Sequence, residues 1–444
     1  GGFWERISGF DSLLFIAVPG KGHWNHEMVD CLTKLYSLEL KDLKTEQWFE
    51  KYGKYFGCRT RRLLRLEGPY LSCHTAPDHP ALWVTNLRAN PYRLETEQGT
   101  GRKILIIPLT NGDERFVPDD SQVFFDQVVP KLSTAVDSNT QDFYELDRVL
   151  GEGAFARVYL ARGRATGTEY AVKVVEKVPE ELQFIAVESR IASTIFHPGI
   201  VRTYDIFEQK NELDIVMELM RGGELFDQIA DRGRFSEKDA SMVMRSIVQA
   251  ISFLHLHHII HRDLKPENVL CKDSSWPLVV KLSDFGLASA TEDKINDGEL
   301  IGTPGYVAPE VVMRKPYDFA VDMWAAGVIL YIMLSGKMPF FGKTDRECLR
   351  KIATGRYAFP PKQWSTVSED AQSLIRSLLQ VDPAKRLTAV AALNHRWLCE
   401  PHTCCSEPLT NDLRELHSTK RKFRKAVNAV ITLKKLSQLS QEEL

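Results

Sequence analysis

The sequence lacks several patterns that mark whole classes of protein. Its 444 residues carry 57 Lys and Arg against 59 Asp and Glu, and the net charge of −2 argues against wholesale nucleic-acid binding. No uninterrupted apolar run reaches the roughly 18 residues of a membrane span. The opening GGFWERISGF has no basic stretch followed by an apolar one, so we expect no secretory signal there. We therefore expect a cytoplasmic protein, with recruitment to membranes as the alternative.

Metal and disulfide patterns are equally scarce. The eight cysteines include no CxxC pair, and Cys404 and Cys405 are vicinal, which predicts reduced thiols and no zinc site. No twelve-residue calcium loop is present either. The stretch DKINDG at 293–298 lacks the alternating oxygen ligands and the final glutamate of such a loop. Calcium sensing by the chain itself is therefore not expected.

What the sequence does contain is a succession of different compositions, and its length suggests about two to three domains. Residues 1–46 match no pattern and stay unassigned. Residues 47–135 are rich in aromatic and turn residues and predict a β-rich domain, followed by a linker at 136–142. Residues 143–398 change from strand-like to helix-like patterning, and residues 399–444 form a basic, amphipathic tail.

The central segment opens with a possible phosphate-binding loop. YELDRVLGEGAFARVYLAR at 144–162 alternates apolar and polar residues around a glycine-containing turn, which predicts a hairpin. Gly151 and Gly153 would let the backbone approach a phosphate closely, but a tight hairpin turn explains them equally well. Lys173 lies in the strand-like EYAVKVVEK, where a lysine is usually a solvated residue, and Glu188 lies in a stretch with helical spacing. Taken alone, each of these features is weak evidence for a nucleotide-binding site.

Three later motifs make the order specific. HRDLKPENVL (261–270), DFG (284–286) and APE (308–310) follow in turn. Together with the glycine loop and the strand lysine, this set resembles the protein kinase family over about 255 residues. The resemblance implies an α+β bilobal fold, ATP and Mg²⁺ as cofactors, and proteins as substrates.

The resemblance also implies a role for each matching residue, since phosphoryl transfer needs alignment and charge neutralisation more than covalent help. Asp263 would orient the substrate hydroxyl and accept its proton, while Lys265 would stabilise the transferring phosphoryl group. Asn268 and Asp284 would hold Mg²⁺, and Lys173 would hold the α- and β-phosphates. His261 is expected to be structural.

Other matching positions surround the nucleotide, with Glu188 pairing with Lys173 and Met217 as the gatekeeper. The implied nucleotide-binding residues are Leu150, Gly151, Gly153, Val158, Ala171, Lys173, Glu188, Met217, Glu218, Met220, Glu224 and Asp284. One departure is Ala156, which replaces the third glycine of the loop and leaves a catalytically dead pseudokinase as an alternative.

Two further contacts are implied in the lower lobe. Glu310 is expected to pair with Arg386, and Asp322 is expected to anchor the backbone of the catalytic loop.

The remaining motifs indicate the kind of kinase. Lys265, two residues after Asp263, resembles serine/threonine kinases. GTPGYVAPEV, DMWAAGVILYIMLSGKMPF and LLQVDPAKRLT resemble the calcium/calmodulin-dependent kinase group, and RSIVQAISFLH is similar to the catalytic subunit of phosphorylase kinase. In that subunit a glutamate of the activation segment replaces phosphorylation. Glu299 falls at the corresponding place, near Thr303, and could satisfy Arg262 as a phosphate would; the alternative is a solvated loop acid.

Acidic residues near the cleft predict the substrate. Glu224 and Glu267 match positions that attract an arginine upstream of the target hydroxyl in related kinases, which predicts Arg-x-x-Ser/Thr targets. Glu224 could equally bind the ribose of ATP.

The tail LRELHSTKRKFRKAVNAVITLKKL at 413–436 has apolar residues at helical spacing and a basic cluster at 420–425. A basic amphipathic helix of this kind is a calmodulin target or a membrane-surface helix. Phe423, Val427, Val430 and Leu436 are the candidate anchors. In calmodulin-dependent kinases this place holds an inhibitory helix, so calmodulin is an implied partner. A helix that only packs on the lower lobe is the alternative.

The N-terminal region resembles a pleckstrin-homology domain more weakly. WFEKYGKYFGCRTRRLLRLEGPYLSCH at 48–74 predicts two or three strands, and Lys54, Arg59 and Arg61 approximate the basic pattern that holds inositol phosphates in such domains. ALWVTNL, RKILIIPL and ERFVPD predict later strands. SQVFFDQVVPKLSTAV is the candidate closing helix, which Pro130 is expected to interrupt. The alternatives are a β-rich docking domain, or a membrane-recruited adaptor in which lipid binding matters more than phosphoryl transfer.

Overall fold

The computed structural model describes most of the chain between residues 44 and 409. The described residues are 44–52, 59–67, 70–79, 81–87, 91–97, 99–109, 112–137, 139–153, 156–178, 185, 187–189, 191–192, 195–232, 235–290, 294–295, 301–342 and 344–409. The predictions for residues 1–43, Lys54, Glu299 and the tail beyond 409 lie outside the described residues.

The N-terminal unit (residues 44–137) begins with seven antiparallel strands in one sheet. They are β1 (Lys44–Tyr52), β2 (Arg59–Glu67), β3 (Tyr70–His74), β4 (Ala81–Asn86), β5 (Arg93–Thr96), β6 (Lys103–Ile107) and β7 (Glu114–Pro118). Their spatial order is β4-β3-β2-β1-β7-β6-β5, so that β4 and β5 are the edges. The stretches predicted as strands from their alternation are therefore confirmed.

Apolar side chains at alternate positions along the strands form the core of this unit. Leu64 and Leu66 of β2 and Leu105 of β6 share one buried face with Phe116. Strand β6 is apolar on both faces, because Ile106 packs with residues of the second face in a smaller cluster. Strand β5 differs from the others, since all four of its residues are exposed.

A helical segment closes the first face of the sheet. It consists of α1 (Ser121–Val123), a π-helical turn (Phe124–Val128) and α2 (Val129–Asp137). Phe124, Val128 and Leu132 recur every four residues and are buried against the sheet. The prediction that Pro130 interrupts the helix is wrong. Proline lacks an N–H and its ring crowds the carbonyl four residues earlier, and the wider π turn just before Pro130 accommodates both effects.

The central segment starts with a second sheet, which we call the upper lobe. Its five antiparallel strands are β8 (Tyr144–Glu152), β9 (Ala156–Gly163), β10 (Glu169–Glu176), β11 (Thr203–Glu208) and β12 (Glu212–Met217). Their order is β11-β12-β10-β9-β8, and β8 with β9 is the predicted hairpin. A short helix, α3 (Thr140–Phe143), lies in the predicted linker and is tied to this sheet, because the buried Thr140 hydroxyl donates to the Asp214 carboxylate.

The lower lobe is mainly helical. Its helices are α4 (Leu225–Arg232), α5 (Glu237–Leu256), α6 (Pro309–Val312), α7 (Ala320–Ser335), α8 (Asp345–Thr354), α9 (Pro361–Trp364), α10 (Glu369–Leu378), α11 (Ala389–Leu393) and α12 (Arg396–Cys399). Short strands are β13 (Gly223–Glu224), β14 (Ile259–Ile260), β15 (Val269–Cys271), β16 (Val280–Leu282) and β17 (Ser289–Ala290). Single 3₁₀ turns are formed by Pro266–Asn268, Pro383–Lys385 and Pro401–Thr403.

Helix α7 forms the centre of this lobe. Its residues from Val321 to Ser335 are all buried, and the sequence is apolar on every side, as expected for a helix surrounded by protein. The helix ends where Gly336 adopts a left-handed φ of 67°, which is the usual conformation just past a helix C-terminus.

The residues just after α12 pack against the lower lobe. We call residues 400–409 the C-terminal strap. The Lys238 N–H donates to the Cys405 carbonyl at 3.0 Å, and the Leu409 N–H donates to the Phe235 carbonyl at 2.8 Å. The first part of the predicted tail is thus fixed beside the start of α5.

The six cysteines within the described residues are all free thiols. Among the described residues, no helix is both long and apolar enough to cross a membrane.

Candidate active site

The centre of the site is an ionic triad between the lobes. The Lys173 ammonium lies 2.6 Å from Glu188 Oε1 and 2.9 Å from Asp284 Oδ1. Lys173 projects from β10, which is paired on both sides, and Asp284 follows β16 of the lower lobe. The predicted pairing of Lys173 with Glu188 is therefore present.

The contacts of the triad shift the pKa values of Lys173 and Asp284. Burial opposes the charge of Lys173, but the carboxylates of Glu188 and Asp284 outweigh it and raise the pKa of the ammonium. The Lys173 ammonium in turn lowers the pKa of Asp284 to about 2. Lys173 and Asp284 are consequently both ionised at neutral pH, which places a fixed positive charge beside a carboxylate.

The backbone at Asp284 is held in an uncommon conformation. Its φ is 65°, in the left-handed region that non-glycine residues seldom adopt. Arg262 of the catalytic loop has the same φ of 65°. Such conformations persist only where surrounding contacts fix them, and they are concentrated at functional sites.

A second group of side chains surrounds Asp263. The Lys265 ammonium lies 2.5 Å from Asp263 Oδ2, and the Thr303 hydroxyl donates to Asp263 Oδ1 at 2.7 Å. Lys265 also donates to the Thr303 hydroxyl at 3.0 Å. The Asn268 amide donates to the Asp263 carbonyl at 2.8 Å, which leaves the amide oxygen of Asn268 available. The carboxylate, the ammonium and the activation segment are therefore held together.

Asp322 anchors the catalytic loop, as predicted. Its buried carboxylate accepts hydrogen bonds from the backbone N–H groups of His261 at 2.9 Å and Arg262 at 3.0 Å. The His255 ring nitrogen lies 2.9 Å from the same carboxylate. Burial opposes ionisation of Asp322, but the hydrogen bonds from His255 and His261 outweigh it and lower the pKa of the carboxyl group. The contribution of His255 was not predicted, because a histidine at a helix end carries no distinctive motif.

The predicted pair between Glu310 and Arg386 is confirmed. The guanidinium contacts both carboxylate oxygens, at 2.7 and 2.9 Å, and both side chains are almost fully buried. Arg386 also donates to the carbonyls of Gln380 and Ala320. The end of the activation segment is thereby fastened to the centre of the lower lobe.

Arg262 contacts the start of the activation segment and Tyr317 beyond its end. Its guanidinium donates to the carbonyls of Leu287 and Ala288 and to the Tyr317 hydroxyl at 3.2 Å. The predicted partner Glu299 lies outside the described residues, so this contact stays a prediction. Tyr317 was not predicted as a partner.

The glycine loop forms the turn of the β8–β9 hairpin. The Gly153 N–H donates to the Ala156 carbonyl at 2.8 Å, which closes the turn. Leu150 and Gly151 are exposed at the end of β8, and Val158 lies opposite Gly151 on β9. Gly151 has open space where a side chain would project. Both the phosphate-binding and the hairpin interpretation of these glycines fit this geometry.

The remaining nucleotide-binding positions lie where β12 leads into the lower lobe. Ala171 and Met217 are cross-strand partners, and Met220 is buried just beyond. Glu218 pairs with Lys281 of β16 at 2.6 Å, a contact between the lobes that the sequence did not suggest. Lys281 alternates with apolar residues and looks like an ordinary solvated strand position.

Glu224 lies beside the catalytic loop. It is half-buried in β13, and its cross-strand partner is Leu270, two residues after Asn268. This position fits both predicted roles of Glu224, in binding a substrate arginine or the ATP ribose.

The lipid-binding residues of the N-terminal unit have acidic partners. Arg59 lies 2.8 Å from Glu50 and stacks over the Tyr52 ring. Arg61 lies 2.8 Å from Asp119 and stacks over the ring of Trp48. Lys54, the third predicted residue, lies outside the described residues. Both described arginines lie on β2, and each is paired with a carboxylate.

The donor set around Asp263 and Asp284 fits a nucleotide-bound magnesium ion. Mg²⁺ prefers oxygen ligands and usually takes one or two carboxylates together with substrate phosphates. The Asp284 carboxylate and the Asn268 amide oxygen supply such ligands. No cluster of three or more His, Cys, Asp or Glu suited to a metal occurs among the described residues, so a site made by the protein alone is not indicated there.

Comparison with known proteins supports this interpretation. The protein kinase domain family matches residues 144–398. Myosin light chain kinase A of Dictyostelium discoideum is 42% identical over 264 residues, which is 59% of this chain and 90% of the relative. A probable myosin light chain kinase of the same organism is 41% identical over 276 residues, 61% of this chain and 70% of the relative. Calcium/calmodulin-dependent protein kinase type 1 of Caenorhabditis elegans is 37% identical over 315 residues, 69% of this chain and 89% of the relative.

Proposed function

Because this chain belongs to the protein kinase family and is a serine/threonine kinase of the calcium/calmodulin-dependent type, we propose that it phosphorylates hydroxyl groups preceded by arginine under the control of its own tail. ATP and Mg²⁺ are its cofactors. Its substrates are proteins.

The observation that carries the proposal is the assembly of the ionic triad together with the Asp263 group. Lys173 is held by Glu188 at 2.6 Å, in a position to bind phosphate oxygens. Asp263 lies beside Lys265, where it can accept the proton of a substrate hydroxyl while Lys265 balances the charge of the transferring group. Asn268 and Asp284 would hold Mg²⁺, which would neutralise charge on the phosphate oxygens. These contacts are formed in a chain that has Ala156 in place of the third glycine, which supports an active enzyme over a pseudokinase.

The preference for arginine rests on Glu224. Glu224 is half-buried in β13. Its cross-strand partner on β15 is Leu270, which directly follows the catalytic loop. A guanidinium bound there would form a charge-assisted hydrogen bond, which is stronger than a neutral one. We therefore propose Arg-x-x-Ser/Thr as the target sequence, with Glu267 as the second acidic contact.

Control by the tail is supported from two directions. The alignment with a calcium/calmodulin-dependent protein kinase type 1 covers 69% of this chain. The strap also fixes the chain against the lower lobe as far as Leu409, directly before the basic amphipathic stretch at 413–436. We propose that this stretch inhibits the kinase and that calcium-loaded calmodulin removes it by binding Phe423, Val427, Val430 and Leu436.

The activation segment would then need no phosphate. We propose that the Glu299 carboxylate provides the negative charge near Arg262, whose guanidinium already organises the start of the segment through Leu287 and Ala288. A carboxylate supplies one charge where a phosphate supplies nearly two.

The test is phosphate transfer by the full chain to an Arg-x-x-Ser peptide, with and without calcium and calmodulin. We expect strong stimulation by calmodulin, and no phosphate on the activation segment of the stimulated enzyme by mass spectrometry. A matched peptide with alanine in place of arginine measures the contribution of the arginine. The Asp263→Asn variant controls for contaminating kinases. Equal rates with and without calmodulin would contradict control by the tail.

Membrane recruitment is the second candidate function. The order of seven antiparallel strands followed by a closing helix favours a pleckstrin-homology-like N-terminal unit. Phosphoinositide binding would have to replace Glu50 and Asp119 as partners of Arg59 and Arg61. Binding to phosphoinositide vesicles that is lost in the Arg59→Ala, Arg61→Ala double variant would establish it. Equal binding to vesicles without phosphoinositide would exclude it.

We propose a cytoplasmic location, in agreement with the free thiols.

A further inference from the structure

We propose that Thr96, on the exposed edge strand of the N-terminal unit, is phosphorylated by the chain's own kinase active site. The inference rests on the proposed preference for arginine three residues before the target. It adds an acceptor site within the chain to that proposed function.

The sequence offers very few places for such a reaction. Among all serines and threonines of the chain, only Thr96 and Ser193 have an arginine three residues earlier, at Arg93 and Arg190. Ser193 lies outside the described residues, in the stretch that also carries Glu188. Thr96 is the acceptor whose surroundings the structure describes.

Strand β5 presents the target sequence in an extended form. It is an edge strand, hydrogen-bonded to β6 on one side. All four of its residues are exposed. Residues three apart in a strand point to opposite faces, so a partner can reach both Arg93 and Thr96 only if both faces are open to solvent. This strand fulfils that condition, because the Arg93 side chain is 56% exposed and Thr96 is exposed as well.

A contrasting hydroxyl shows what the strand provides. Thr134 has a lysine, Lys131, three residues earlier, but it lies in helix α2 and its hydroxyl donates to the Pro130 carbonyl at 2.9 Å. A helix hides the backbone and keeps residues three apart on one face. Thr96 is free of that restriction.

The local charges also favour the product. The Lys103 ammonium donates to the Thr96 hydroxyl at 2.7 Å, and the two residues are cross-strand partners. A phosphate on Thr96 adds about −1.5 to −2 charges and three acceptor oxygens. Lys103 would then form an ion pair with the phosphate, in place of its present hydrogen bond to a neutral hydroxyl. On the Arg93 side, the guanidinium pairs with the exposed Asp113, a contact that an acidic cleft residue such as Glu224 can replace.

The reaction is an ordinary phosphoryl transfer. The Thr96 oxygen forms a bond to the γ-phosphorus of ATP as the bond from that phosphorus to the β–γ bridging oxygen breaks. The hydroxyl proton passes to Asp263, and ADP leaves with the bridging oxygen. No oxidant or further reactant is needed.

Incubation of the full chain with ATP and Mg²⁺, followed by mass spectrometry of its peptides, tests the proposal. Trypsin releases residues 94–102, which contain both Thr96 and Thr100. Thr100 is an exposed neighbour with Glu97 three residues earlier, so one peptide carries the site and its control. The reaction is run with and without calcium and calmodulin, beside the Arg-x-x-Ser peptide.

We expect phosphate on Thr96 and none on Thr100 in the wild-type chain, and no phosphate on either in Asp263→Asn. Arg93→Ala is expected to lower the phosphate on Thr96 by about tenfold, as for the loss of one charged contact. Arg65→Ala, which removes an arginine from the more distant strand β2, where it pairs with Glu46, is the matched control and should leave it unchanged. Thr96→Ala should leave peptide phosphorylation unchanged.

The possible failures are distinct. An active enzyme that phosphorylates the peptide but leaves Thr96 unmodified would overturn this inference alone. Phosphate on Thr96 that persists in Asp263→Asn would also overturn it, because another kinase would be responsible. Phosphate on Thr96 without discrimination between peptides with and without arginine would uphold the site but contradict the arginine preference. No transfer to either acceptor would overturn both.

Discussion

At the residue scale, the active site combines side chains whose types are fixed by chemistry with others whose types are not. Phosphoryl transfer requires a carboxylate or an ammonium at certain places, and residues there belong to recognisable motifs, as Asp263, Lys265 and Asp284 do. The sequence therefore predicted which of them come together. His255 and Lys281 are equally well placed, at 2.9 Å from Asp322 and 2.6 Å from Glu218, but neither belongs to a motif. Only the tertiary structure gives such residues their partners.

Asp214 shows the same limit and leads to a prediction. This carboxylate in β12 is buried, and burial raises its pKa to about 6 even though Thr140 and Gln209 donate hydrogen bonds to it. Because the unfolded carboxyl group titrates near 4, the folded chain binds the extra proton between about pH 4 and 6. Asp214 therefore stabilises the fold least above pH 6, where the buried carboxylate is charged.

We expect Asp214→Asn to gain stability relative to the wild type as the pH rises from about 4 to 6. The difference in free energy of unfolding should change by up to about 1.4 kcal/mol per pH unit. Urea unfolding of both chains across this pH range measures it. Glu176→Gln removes an exposed carboxylate from the neighbouring strand and serves as the charge control. A difference that does not vary with pH would contradict the prediction.

At the element scale, alternation and turn residues predicted most of the strands. ALWVTNL, RKILIIPL and ERFVPD became β4, β6 and β7, because each presents apolar residues to a face that is buried. The closing helix was predicted from the resemblance to a pleckstrin-homology domain, but its continuation through Pro130 was not predicted. A π turn has no sequence signature, since it depends on how Phe124 and Val128 meet the sheet.

The end of helix α8 provides a prediction at this scale. Gly355 follows the helix with a φ of 59°, and a Cβ at this position would lie 2.5 Å from a methyl carbon of Val381. Gly355→Ala therefore meets both left-handed strain, about 1–2 kcal/mol, and a steric clash. Gly167, with a φ of 71° and open space around it, would meet the strain alone.

We expect Gly355→Ala to lower the free energy of unfolding by about 2–4 kcal/mol and Gly167→Ala by about 1–2 kcal/mol. Thermal and urea unfolding of the two variants beside the wild type give both values. Equal losses would mean that Val381 moves aside at no cost and that only the backbone conformation matters.

At the scale of the whole molecule, the sequence predicted the order of the elements better than it predicted the contacts between them. The motifs predicted a bilobal α+β region, and the structure has a five-stranded sheet followed by a mainly helical lobe. The helix α3 and the strap were not predicted, because short connecting segments lack periodicity. Both tie neighbouring segments to the kinase region, through Thr140 at one end and Leu409 at the other.

The strap determines where the tail should be removed. A chain that ends at Leu409 keeps the strap's hydrogen bonds with Phe235 and Lys238, so the strap stays attached to the lower lobe. We expect this shortened chain to phosphorylate the Arg-x-x-Ser peptide without calmodulin, at a rate close to that of the stimulated full chain. A rate no higher than that of the unstimulated full chain would show that residues 410–444 do not inhibit.

Helix α7 has a consequence for how the chain is made. Its surface is apolar on every side and is covered by helices on both sides in sequence, including α5 before it and α10 after it. A nascent chain on the ribosome cannot shield this helix until residues up to about Leu378 have been synthesised, and exposed segments of this kind are targets for chaperones. The N-terminal unit needs only its own residues, up to Asp137, to bury its core. Synthesis therefore delivers a finished N-terminal unit while the lower lobe still depends on protection by the cell.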